Sequence, residues 1–269
     1  MVEPGALRVV TFNLLNDLTF WDERAPLIVE HLAALAPDLI ALQEVSLPSN
    51  NAAWLAGRLG GYSVHLCPKT GQRSEHEALA ILSRLPVEDH ATLAFGKQGR
   101  VAQRVVLRHG ADRWTFCNAH LHWSLRDDRA RRRQIFRLLD WLAPHAPTVV
   151  CGDFNAMPHY LAMEAMRQRF TSAQTLQFGA ETHATFPTPL KRGPGVRHKL
   201  RSTGFRILGP LLVGGNDGWR NTLDYIFVDH PAVRVLHCDV ALNQPAPHDP
   251  ALYPSDHVAL LADLTLAER

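Results

Sequence analysis

The period of the apolar positions changes along the chain. LRVVTF (7–12) is short, β-branched and bounded by Gly5 and Asn13, which predicts a buried strand. DERAPLIVEHLAALA (22–36) spaces its apolar residues as a helix does, with Asp22 as the expected N-cap and Pro26 in the first turn. DLIALQ (38–43) predicts a second buried strand, and NNAAWLAGRLG (50–60) a short helix stopped by glycines. YSVHL, ALAILS, EDHATLA, AQRVVLRH and RWTFCNAHL then follow between turn residues, a pattern of antiparallel strands. DDRARRRQIFRLLDWLA (127–143) returns to helical spacing, with Ile135, Leu138, Leu139 and Leu142 on one face. PTVVCG (147–152) predicts a strand, residues 159–168 a helix, and TLDYIFVD, VRVLHCDVAL and VALLADL the closing strands. Such a mixture predicts an α/β fold of packed sheets flanked by helices rather than a doubly wound parallel sheet.

The 269 residues suit one large domain, and 46% hydrophobic content with 20% charge suits a sizeable core. No run approaches the roughly 18 apolar residues of a membrane span. MVEPGALRVVTFN lacks the basic start and long apolar core of a signal peptide. Cys67, Cys117, Cys151 and Cys238 are scattered, without a CxxC pair. They read as buried free thiols in a reducing compartment, so the expected location is cytoplasmic. A net charge of +2 confines any attraction for phosphates to local patches. PTPLKRGPGVRHKLRSTGFR (187–206) is one such patch, with six Lys or Arg and no acid. It predicts a long basic surface loop, an insertion running to about residue 220 within the single domain, either facing a polyanion or simply solvated.

Chemistry-bearing residues gather where apolar runs end. VVTF ends at Asn13, LIALQ at Glu44, TFCNA at His120, and VVCG at Asp153 and Asn155. The turn YPSDH sets Asp256 and His257 before VALLADL, and Asp224 stands inside TLDYIFV. A carboxylate in an apolar strand needs a partner. Asp153 and Asn155 would share a face if the chain stayed extended across Phe154, and Asp256 and His257 would converge only in a tight turn. Singly, each residue could be a turn cap, a rim charge or a satisfied core histidine. Jointly they predict one polar site at the edge of stacked sheets.

VVTFNLLN, DLIALQEV, CNAHLHW, VVCGDFNAMP, TLDYIFV and YPSDHVALLADL resemble, in order, the motifs of the endonuclease/exonuclease/phosphatase superfamily, the deoxyribonuclease I-like fold. The resemblance implies a four-layer α/β sandwich of two mainly antiparallel sheets with helices outside. It implies a hydrolase that cuts phosphoesters by in-line attack of water, with Mg²⁺ or Mn²⁺ as cofactor. By the same resemblance Glu44 is the principal metal ligand, with Asn13 and Asp256 near the metal. Asp153 activates the water, Asn155 holds a phosphate oxygen, and Asp224 pairs with His257. His120 is a second histidine, oriented by Glu77, although Glu75 lies two residues away.

Those residue types suit the reaction. A hard cation held by oxygen ligands meets the phosphoryl charge, a carboxylate takes the proton of water, and an imidazolium donates to the phosphate. His120 would offer a second cationic donor or a general acid. The substrate stays open among nucleic acid, phospholipid headgroup and sugar phosphate, and the protein is expected to act as a monomer. Two other readings remain. The HxH pair of HLHW (120–123), followed by Asp127 and Asp128, could belong to a zinc hydrolase, although Trp123 and Ser124 follow where further ligands would be needed. The basic loop and basic helix could make a non-catalytic binding module for nucleic acid or anionic surfaces, with the helix otherwise a solvated face and Arg131 and Gln134 turned to the site.

Overall fold

The computed structural model describes residues 5–124, 127–145, 147–191 and 221–267. The basic segment beyond residue 191, and with it the predicted insertion, lies outside the described residues. The chain begins with β1 (Leu7–Asn13), α1 (Trp21–Leu35), β2 (Leu39–Ser46) and α2 (Asn51–Leu59). The predicted antiparallel stretch follows as β3 (Ser63–Pro68), β4 (Glu77–Ser83), β5 (Val87–Ala94), β6 (Val101–His109) and β7 (Asp112–His120). Next come α3 (Asp128–Leu142), β8 (Thr148–Asp153), α4 (Leu161–Arg167), β9 (Thr171–Ser172) and α5 (Ala173–Phe178). The chain closes with β10 (Asp224–Val228), β11 (Val233–Ala241) and β12 (Ala259–Leu266).

The strands form two six-stranded sheets, ordered β11-β12-β1-β2-β4-β3 and β5-β6-β7-β8-β10-β9. Leu7, Val9, Leu39 and Ile81 of the first sheet pack on Val105, Phe116, Val149 and Ile226 of the second. Val10, Phe12, Ile40 and Leu42 face the other way, onto Ile28 and Leu32 of α1 and Leu55 of α2. Cys117, Val150 and Phe227 likewise meet Ile135 and Leu138 of α3 and Met163 of α4. Both faces of the central strands are covered, which explains their unbroken apolar runs. The result is the predicted four-layer sandwich. Truncating one of these buried leucines to alanine costs about 2–5 kcal/mol.

Each sheet holds one parallel pair, β1–β2 and β7–β8, among antiparallel neighbours. α1 and α3 make the two crossovers. Ligands in α/β folds bind beyond the C-terminal ends of such strands. Here those ends carry Asn13, Glu44, His120 and Asp153.

Two details of α1 differ from expectation. Its N-cap is Phe20, without a side-chain cap bond, and Asp22 lies inside the first turn. There its charge faces the positive end of the helix dipole, which suits an acid as well as capping does. Pro26 sits in the second turn, one turn later than the sequence suggests. Asp127 caps α3, its Oδ1 accepting from Ala130 N at 3.0 Å.

Candidate active site

Strand register assembles the site before any side chain is considered. Asp153, the last residue of β8, pairs with His120 of β7 on one side and Asp224 of β10 on the other. Three chemistry-bearing residues therefore form a row across the rim of the second sheet. The close approach of β7 and β8 depends on Gly152. Its φ is +137°, and a Cβ there would fall 1.9 Å from Ala119 O.

The chain does not stay extended past Asp153. Asn155 adopts a left-handed φ of +49°. Its N–H donates to Asp153 Oδ1 at 2.8 Å, closing an Asx-type turn. Its side-chain amide donates to Leu121 O at 3.3 Å. Phe154 turns into the core against Tyr225 and Phe227. Asn155 is thus placed by a turn rather than by strand alternation.

The first sheet contributes Asn13 and Glu44. The amide of Asn13 donates to Asp153 Oδ2 at 3.1 Å, and its Oδ1 accepts from Leu15 N at 3.0 Å. Asn13 therefore ties the two sheets together at Asp153. Glu44 lies in a β-bulge, where the β2–β4 register shifts between Leu42 and Val45. Its φ is +57°, and its Oε2 accepts from Asn16 N at 2.9 Å. Bulges beside functional sites re-aim side chains, and this one places Glu44 in the wall of a cleft of about 590 Å³.

Glu77 is the buried member of the pair left open by the sequence, and Glu75 is exposed. Its carboxylate pairs with Lys69 and lies 3.9 Å from His120 Nδ1. His120 Nε2 lies 3.4 Å from Asp153 Oδ2 and is also contacted by Arg100. Burial, then Arg100, lowers the His120 pKa, and Arg100 and Lys69 are the positive groups beside the ring.

His257 is the cationic histidine. Its Nδ1 meets Asp224 Oδ2 at 2.8 Å. Burial opposes its charge, but Asp224 outweighs burial and raises the pKa to about 10. Burial raises Asp224 to about 6 against the pull of His257. Burial also opposes ionisation of Asp153. His120, His257 and the Asn155 N–H outweigh it and hold Asp153 well below the usual carboxylate range. Glu44 is lowered against burial by His120, the Asn16 N–H and Arg100. Asp256 and His257 precede β12 in an irregular turn, and Phe186 packs on the His257 ring at 4.7 Å.

Ligand atoms of Glu44, Glu77 and His120 lie within 4.8 Å of one another, as do those of Asp153, Asp224 and His257. Asp256 belongs to neither group, and His122 is absent from both among the described residues. His122 Nε2 instead lies 3.6 Å from Asp127, which separates it from His120 and removes support from the zinc reading. Among the described residues, the carboxylates of Glu44, Glu77, Asp153 and Asp224 gather with Lys69, Arg100 and His257. Their oxygen donors fit a hard divalent cation. Glu44 would hold it, with Asn13 Oδ1 and Asp256 near.

Sequence reading did not single out Lys69, Arg100 or Asn16. Lys69 follows an apolar strand after Pro68, and Arg100 follows a glycine turn directly before β6, both weak signals for burial. Their loops are joined where Gly99 meets Thr70, a contact so close that a Cβ on Gly99 would lie 2.1 Å from Thr70 O. Arg131 and Gln134 do not face the site from a solvated helix. Arg131 is buried and donates to Ser124 O at 2.6 Å, while Gln134 accepts from His122 N at 2.9 Å. Together they hold the segment that follows His120.

Residues 10–257 match the model of the Endonuclease/Exonuclease/phosphatase family, and the chain belongs to that family. Nocturnin of Mus musculus is 26% identical over 277 residues, which cover 92% of this chain and 59% of nocturnin. The 2',5'-phosphodiesterase 12 of Rattus norvegicus is 27% identical over 328 residues, 98% of this chain and 52% of that protein. The chain thus spans little more than half the length of these curated relatives. The crystal structure of D. rerio TDP2 complexed with single strand DNA product shares the fold, with a TM-score of 0.75 over 97% of this chain and 99% of that chain at 17% identity.

Proposed function

We propose that the protein is a divalent-metal-dependent phosphodiesterase acting on nucleotide or nucleic-acid phosphoesters, with Mg²⁺ or Mn²⁺ as its cofactor. The observation that carries this reading is Asp153. It is a buried carboxylate kept ionised between two histidines, His120 and His257. Such a group stays ionised at neutral pH and can hold and align the attacking water, and the strand row fixes its direction. His257, held by Asp224, donates to a phosphate oxygen. Asn155 would exchange its long bond to Leu121 for another phosphate oxygen. The cation at Glu44 would supply Lewis-acid stabilisation of the phosphoryl charge. Lys69 and Arg100 add fixed positive potential on the same side of the cleft.

Two observations support a nucleotide substrate. The names of the relatives include a phosphodiesterase and a protein solved with a DNA product. Trp123, 51% exposed, also lines the cleft with Glu44 and Arg100, offering a flat surface on which a base can stack. Four buried thiols suit the cytoplasm. Among the described residues no helix is long and apolar enough to cross a membrane.

A panel of oligonucleotides, bis-p-nitrophenyl phosphate, sphingomyelin and sugar phosphates, each assayed with EDTA, Mg²⁺, Mn²⁺ and Zn²⁺, tests the reading. Hydrolysis of oligonucleotides restored by Mg²⁺ or Mn²⁺ is expected. Turnover confined to the lipid or sugar phosphates would refute the substrate class, and turnover only with Zn²⁺ would refute the cofactor.

A further inference from the structure

Asn118 and Gln43 are fully buried between the sheets, yet both are amides. Gln43 Nε2 donates to Asn118 Oδ1 at 2.8 Å and to Thr11 Oγ1 at 3.0 Å. Asn118 Nδ2 donates to Leu42 O at 2.9 Å and to Ala80 O at 3.0 Å. These two carbonyls belong to β2 and β4 at the place where the bulge interrupts their ladder. A bulge leaves backbone groups without their ladder partners, and a buried carbonyl left unpaired is costly. Asn118 meets both carbonyls from the opposite sheet. Its strand, β7, reaches His120 two residues later, and Gln43 directly precedes Glu44.

We infer that Asn118 is a positioning residue that, with Gln43, clamps the Glu44 bulge to the second sheet and so sets Glu44 for the divalent cation. The strained φ of Glu44 persists only if its surroundings over-determine it, and the clamp ties the backbone beside it to the other sheet. Packing alone would be served by a leucine or methionine of similar volume. The fork of an amide is required when one donor and two acceptors must be met at fixed directions. The clamp also links the metal side of the site to the row holding His120 and Asp153, so both halves shift together or not at all.

The inference rests on the metal-dependent reading above, and Mn²⁺ affinity, measured by electron paramagnetic resonance titration, tests it without turnover. Wild type must bind Mn²⁺, and failure to do so overturns the metal reading and this inference with it. Asn118→Leu is expected to raise the Mn²⁺ Kd at least about tenfold, the usual size for loss of a group that orients a ligand. Gln43→Met, which keeps the volume and removes the link, should raise it by a smaller factor. Phe116→Leu, a core change on the same strand, controls for general loss of stability and should leave Kd within about twofold while lowering Tm. Should Asn118→Leu fail to fold, Gln43→Met decides. A Kd for the clamp variants equal to that of Phe116→Leu would overturn the inference.

Discussion

At the scale of single residues, Asp224 and His257 set the pH behaviour. His257 is raised from 6.5 to about 10 in the folded chain, so its imidazolium stabilises fully below pH 6.5 and is lost as pH rises through about 10. Asp224 is raised to about 6, so below that pH it takes up a proton and releases His257 from its ion pair. The two titrate as a pair. A pH–rate profile of kcat/KM should therefore fall below about pH 6 and again near pH 10, with a plateau between. Tm should decline from pH 7 towards 10, and His257→Ala should flatten that decline. A profile that stays level down to pH 4 would separate Asp224 from the reaction. Several residue roles could be read in the sequence because an acid in an apolar strand demands a partner, as Asp224 does. The setting of His120 could not, because Arg100 stands twenty positions away in the chain and is brought there by a loop contact.

At the scale of elements, the two β8 neighbours and the β2 bulge do most of the positioning. Gly152 lies where β7 leaves no room for a side chain. Gly152→Ala is expected to lower stability by about 2–4 kcal/mol, since the added methyl meets backbone and the φ suits only glycine. Urea titration checks this, and a loss below about 0.5 kcal/mol would show that the strands can separate. Nearly every strand was legible from its apolar run, because both faces are covered by helices or the facing sheet. The bulge at Glu44 was not legible. DLIALQEV reads as a regular strand, and only the cross-sheet amides Gln43 and Asn118 hint that the ladder is broken. β9 and α5 escaped for a different reason: they are too short to show a period. The turn at Asn155 was missed because alternation holds only while a strand continues, and β8 ends at Asp153.

At the scale of the whole molecule, two sheets bring C-terminal strand ends to one rim, and the charges of that rim differ from those of the surface at large. A net charge of +2 says nothing about a site where carboxylates outnumber cations. Nor does the basic character of 187–206 carry over to its first described cation. Lys191 is already paired with Glu23 at 2.9 Å and Asp249 at 2.8 Å. Lys191→Ala should leave KM for an oligonucleotide unchanged and move Tm by no more than about 2 °C, as usual for exposed ion pairs. A rise in KM, measured at low and high salt, would instead assign Lys191 to substrate capture.

The central claim is that an ionised Asp153 activates water at a metal-dependent phosphodiester site. Its most direct test is the single-turnover hydrolysis rate of an oligonucleotide in Mg²⁺, compared between wild type and Asp153→Asn. The account predicts a loss of about 10²–10⁴-fold in the chemical step with the fold intact, as for removal of a general base. A variant that hydrolyses the substrate at the wild-type rate would contradict it.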